Sequence, residues 1–214
     1  APVQHLIDTA LRPDKQAEAL AMLEEYGRNK DYVETLQQLL AYQRDEAHLS
    51  MAFILLKRAV ESGKSVDCTA LTKQVLTHMH PDCPQVVNCA QSLLTNCFMT
   101  SPLCSQMILQ YIESALDSPQ AQPTALKLFN IVVADHFKEM DKSYYTPLQQ
   151  ILIKTLQIFQ SVDVLSKSVI IEVFTEIMLD EAPFIQDDNT LITMLNTFCG
   201  TLYDDQTYRV KLCS

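Results

Sequence analysis

EAHLSMAFILLKRAVES, residues 46–62, carries apolar side chains at Leu49, Ala52, Phe53, Leu56, Ala59 and Val60. That recurrence every three or four residues lines them along one stripe of a helix, and Gly63 directly after it supplies a stop. The same reading extends toward the N-terminus. Asp31 opens a helix over 31–44 with Val33, Leu36, Leu39 and Leu40 on one face, and 14–26 lies between Pro13 and Gly27. Toward the C-terminus, Asp67 opens 67–78, which Pro81 closes. Pro84 sits in the first turn of 84–98, whose stripe is Val86, Val87, Ala90, Leu93, Leu94 and Cys97. Helices over 102–116, 121–139, 146–160, 163–180 and 187–203 follow, and a last one begins near Gln206. No stretch reads as a strand. The prolines fall at helix starts or in gaps, where a missing N–H costs nothing. The expected fold class is all-α.

Every second helix starts near 14, 46, 84, 121, 163 and 205, at intervals of 32, 38, 37, 42 and 42 residues. Stacked helical repeats hold such a period, because each unit buries its stripe only against its neighbours. The alternative, an irregular helical bundle, has no reason to keep one.

Two of these helices resemble a known family. VVNCAQSLLTNCF at 86–98 is similar to the third helix of an armadillo repeat, with Ala90, Leu94 and Asn96 at the positions of its Ala, Leu and Leu-x-Asn pattern. TALKLFNIVV at 124–133 repeats it with Leu128 and Asn130, while Thr124 stands where Ala would be. The two asparagines are 34 residues apart. Arg58 occupies the equivalent place in the preceding unit and Thr175 in the following one, and no Trp accompanies them anywhere. KQAEALAMLEEYGRNKDYVETLQQLL, residues 15–40, loosely resembles the first HEAT repeats of importin-β-type carriers. The resemblance implies a right-handed armadillo/HEAT-type α-solenoid of about five units, whose groove asparagines hydrogen-bond the backbone of an extended peptide. A side-chain amide offers both donor and acceptor to a peptide unit. Asn96, Asn130 and Arg58 are therefore the expected partner-binding residues, forming a ladder down one groove.

Composition removes other functions. The chain has 214 residues and only three glycines, Gly27, Gly63 and Gly200, so no phosphate-cradling glycine loop and no nucleophile elbow can be written. Sixteen basic residues against 26 acidic give a net charge of −10, which lacks the basic footprint of a nucleic-acid binder. No apolar run reaches the roughly 18 residues needed to span a membrane. Residues 163–214 hold nine acidic and three basic side chains and would attract a basic partner segment. Residues 83–112 carry no Asp, Glu, Lys or Arg at all, which fits a partner contact or else a more deeply buried middle repeat.

Chemistry has few footholds. His78, His80 and Cys83 form an H-x-H-x-x-C run, but no C-x-x-C pair exists, and Cys89 and Cys97 fit the apolar stripe of their helix. The seven cysteines are expected as thiols with no metal and no cofactor, in a reducing compartment, nucleus or cytoplasm. The carboxylate pairs Glu24-Glu25, Asp180-Glu181, Asp187-Asp188 and Asp204-Asp205 stand at helix ends or in turns, where they cap or complement a dipole. The absent initiator Met and the RVKLCS ending suggest a segment of a longer protein, read as one helical-repeat domain over 1–214. The expectation is a non-enzymatic protein-interaction scaffold that holds an extended or basic partner segment. A nuclear-transport-receptor-like or nucleic-acid-associated repeat segment and a helical enzyme domain are the alternatives.

Overall fold

A computed structural model describes residues 2–29, 31–42, 45–80, 82–179 and 196. Ten α-helices occur among them: α1 Pro2–Ala10, α2 Gln16–Tyr26, α3 Tyr32–Tyr42, α4 Glu46–Glu61, α5 Cys68–Leu76, α6 Pro84–Phe98, α7 Pro102–Ala115, α8 Gln122–His136, α9 Tyr145–Ile158 and α10 Val164–Leu179. No strand occurs among the described residues, so the chain is all-α there. The helices expected at 187–203 and from Gln206 lie outside the described residues.

Local signals explain the boundaries. Asp45 accepts from the His48 N–H at 3.0 Å and Asp67 from the Ala70 N–H at 3.0 Å, each occupying an orphan donor of its helix. Asp163 accepts from the Ser166 N–H at 3.0 Å and does the same for α10. The end of α4 is set by Gly63, at φ +70°. Its N–H donates to the Val60 carbonyl, and that of Lys64 to Ala59, the paired bonds of a left-handed helix stop. The helix expected over 121–139 ends earlier, at His136, and continues as a 3-10 turn, Phe137–Glu139. A three-residue turn eclipses side chains three apart, and here it buries both Phe137 and Met140.

One helix was not expected. α1 buries Val3, Ile7 and Ala10 completely or nearly so, a helical stripe too short to stand out in the sequence.

The chain divides into two compact units, 1–107 and 108–214, with the division falling inside α7. In the first, α3 packs on α4 and α5, and α6 packs on both α4 and α5. Helices next in sequence and helices next but one are thus both neighbours. α1 closes the end of this unit against α2, α3 and α4. Its core is made by Leu36, Leu40, Phe53, Leu56, Leu71, Leu93, Leu94 and Phe98, all fully buried. Each such side chain contributes about 1.5–3 kcal/mol by leaving water. In the second unit α8 packs on α10, and Leu128, Phe129, Ile151, Phe159, Ile170 and Phe174 are fully buried.

Candidate functional site: the groove between α4 and α6

The stripes of α4 and α6 turn inward and leave their other faces exposed side by side. Between them runs an open groove of about 350 Å³, lined by Ile54, Lys57, Arg58 and Glu61 from α4 and by Asn88, Cys89 and Ser92 from α6. The α4 wall carries charges of both signs, whereas the α6 wall has none. Lys57 Nζ crosses it, donating to Ser92 Oγ at 2.8 Å and lying 3.7 Å from Glu61 Oε1.

The expected partner-binding residues can be placed one by one. Arg58 lines the groove, with its side chain 56% exposed and Nη1 3.8 Å from Glu24 Oε1 on α2. Asn96 lies one turn beyond Ser92 on α6, and its Nδ2 donates to Glu61 Oε1 at 2.9 Å. Arg58 therefore lines the groove, whereas Asn96 stands outside its lining and touches it only through Glu61. Asn130 belongs to the second unit, where its Nδ2 donates to Glu172 Oε2 at 3.3 Å, from α8 to α10. Each residue singled out from the sequence is thus held by a glutamate of a neighbouring helix, a partner that the repeat pattern did not reveal. One N–H of each asparagine is used in this way; an amide has a second N–H and a carbonyl oxygen to offer.

The glutamate links belong to a wider set. Lys64 Nζ donates to the Gly27 carbonyl at the end of α2 and lies 4.9 Å over the Tyr32 ring. Gln74 Nε2 donates to the Gln37 carbonyl at 2.8 Å, and Cys83 Sγ to Glu46 Oε1 at 3.1 Å. In the second unit Lys154 Nζ donates to the Glu113 carbonyl at 3.2 Å and to Asp117 Oδ2 at 2.9 Å. With the Arg58–Glu24 pair, these links join residues between 34 and 42 positions apart.

Two further groups carry perturbed protons. His48 stands between two carboxylates, Nδ1 2.5 Å from Asp45 Oδ2 and Nε2 2.5 Å from Asp8 Oδ1. Partial burial works against its charged form, but the bonds to Asp45 and Asp8 outweigh it and raise its pKa. Burial pushes the Tyr32 phenol up to about 12, despite the nearby Arg58 charge.

The uncharged stretch 83–112 is not hidden. Gln85, Asn88, Thr100, Pro102, Gln106 and Gln110 are exposed, and Leu103 is 50% exposed. Burial therefore does not account for its lack of charge. As for the H-x-H-x-x-C run, His78 meets the Phe53 ring edge-on at 5.7 Å between centroids, and Cys83 Sγ donates to Glu46 Oε1. Among the described residues no group of three or more His, Cys, Asp or Glu is arranged to hold a metal ion. Of the carboxylate pairs, Glu24 faces Arg58, and the three from Asp180 onward lie outside the described residues. No described helix is long and apolar enough to cross a membrane.

Comparison with known protein families, with curated proteins and with solved structures finds no match for this chain.

Proposed function

We propose that this chain is a right-handed armadillo/HEAT-type α-solenoid of about five units, acting as a non-enzymatic protein-interaction scaffold of the nucleus or cytoplasm. Its partner is an extended segment held along the groove between α4 and α6. The observation that carries this reading is the groove itself: α4 presents Arg58 beside the uncharged Asn88 and Ser92 of α6, and Asn96 follows one turn along α6, bonded to Glu61. The 34 to 42 residue spacing of these side-chain links supports the repeat, since a stack joins each position to its equivalent one unit away. Asn88, Ser92 and Asn96 can pair with main-chain N–H and C=O groups, and the missing charges on α6 match the charge-poor centre of interfaces. The net charge of −10 favours a basic partner during encounter. Five free thiols among the described residues, Cys68, Cys83, Cys89, Cys97 and Cys104, agree with a reducing compartment.

The test begins with capture of partners on the purified chain and peptide mapping of the bound segment. Calorimetry then compares wild type with the double variant Arg58→Ala, Asn96→Ala. Each lost hydrogen bond is expected to cost about 0.5–1.5 kcal/mol of binding, a combined loss of several-fold or more. Melting should change little, because exposed ion pairs contribute roughly 0–1 kcal/mol. Unchanged affinity would remove the segment from this groove.

A further inference from the structure

The two walls of the groove between α4 and α6 differ in charge, and the charged wall is not in balance. Lys57, Arg58 and Glu61 line it from α4, two cations against one carboxylate. Glu61 is already engaged: its Oε1 accepts from Asn96 Nδ2 at 2.9 Å and lies 3.7 Å from Lys57 Nζ. Lys57 in turn donates to Ser92 Oγ at 2.8 Å. Arg58 is held far less. Its Nη1 lies 3.8 Å from Glu24 Oε1, beyond hydrogen-bond reach, and the two side chains are 56% and 74% exposed. Such a pair in water contributes little and exchanges readily for a better partner. The α6 wall supplies no carboxylate to compete, because residues 83–112 hold neither Asp nor Glu.

We propose, resting on the reading of this groove as the seat of an extended segment, that the segment places an aspartate or glutamate side chain in it, with Arg58 as the residue that recognises the carboxylate. A guanidinium presents its N–H groups as a planar fork and can give two parallel bonds to one carboxylate, which the single long contact with Glu24 does not use. Lys57 adds a second positive charge on the same wall, next in sequence to Arg58 and 35% exposed. Ser92 Oγ accepts from Lys57 and so keeps its own O–H to donate.

The groove is thus a locally cationic place on a chain of net charge −10. At physiological salt charges are screened over about 8 Å, so the groove's own side chains, not the chain's total, select what seats there. The matching segment carries one acidic side chain in otherwise neutral or basic surroundings. Glu24 is the competitor that the incoming carboxylate displaces from Arg58.

A displayed library of short random peptides, selected in parallel on the purified wild-type chain and on Asn88→Trp and Arg58→Glu variants, tests this. Peptides enriched on wild type and lost on Asn88→Trp should share Asp or Glu at one position, and Arg58→Glu should select Lys or Arg there instead. For the strongest such peptide, replacing that acidic residue by its amide should weaken binding to wild type about tenfold or more, and to Arg58→Ala by much less. Glu24→Gln should bind the acidic peptide more tightly than wild type does, which a merely structural Arg58 would not produce. Groove-dependent peptides with no acidic position, or an amide replacement that costs wild type and Arg58→Ala equally, overturn the carboxylate and leave the groove standing. If no peptide is lost on Asn88→Trp, the groove reading itself fails, and this proposal with it.

Discussion

His48 joins α1 to the start of α4 through Asp8 and Asp45, and its charge sets when that join is strong. Its pKa is raised in the fold, so its contribution is complete below the ordinary histidine value of about 6.5 and is lost as pH rises through the folded value. Asp45 moves the opposite way: the side-chain and backbone bonds with His48 lower its pKa. Its contribution is present above the ordinary aspartate value of about 3.9 and is lost as pH falls through the folded one. The join is therefore strongest between those limits. Thermal melts of wild type and His48→Gln should differ most near about pH 5.5 and converge toward about pH 9. A gap that is constant or widens with rising pH contradicts the ion-paired imidazolium. None of this was legible in the sequence, where Asp8 and His48 are 40 positions apart. The same holds for Glu61 and Glu172: Asn96 and Asn130 stood out by motif, but their carboxylate partners carry no local signal and are found only once helices are packed.

At the level of elements, most of the sequence reading stands because each helix carries its own start and stop. Asp67, Asp163 and Pro84 mark beginnings, and the stripes identify buried faces from Leu36 to Phe174. α1 escaped because nine residues with three apolar positions make a weak pattern, and its burial depends on α2, α3 and α4. Tertiary packing decides such an element, and packing is not written in local spacing. Gly63 shows how one stop also serves a longer-range purpose. Its left-handed conformation turns the chain so that Lys64 reaches Gly27 and Tyr32. No atom lies within 4 Å of where a Cβ would sit, so Gly63→Ala meets no clash and carries only the conformational penalty. That penalty is about 1–2 kcal/mol, seen as a lower denaturation midpoint. Gly63→Asn should lose less, because asparagine tolerates the left-handed region better. Equal stability of wild type and Gly63→Ala would show that this stop does not constrain the fold.

For the whole molecule, the proposal is that an extended chain lies on the helices of the first unit, along α4 and α6. The fold class was legible from periodicity, since apolar stripes and proline placement leave no room for strands among the described residues. The proposed groove was legible only in part: of its lining residues the motif singled out Arg58, while Lys57, Asn88 and Ser92 emerge from the way α4 and α6 lie together. The uncharged run 83–112 was a sequence feature pointing to the α6 wall, where Asn88 is exposed. The most direct test fills the groove. Asn88 is exposed on its α6 wall, so Asn88→Trp adds bulk in the groove without disturbing the buried stripe of that helix. Calorimetry with the segment captured by the wild-type chain should show affinity reduced at least about tenfold, roughly 1.4 kcal/mol, with an unchanged melting curve. Wild-type affinity in the Asn88→Trp protein would contradict the central claim that an extended partner lies between α4 and α6.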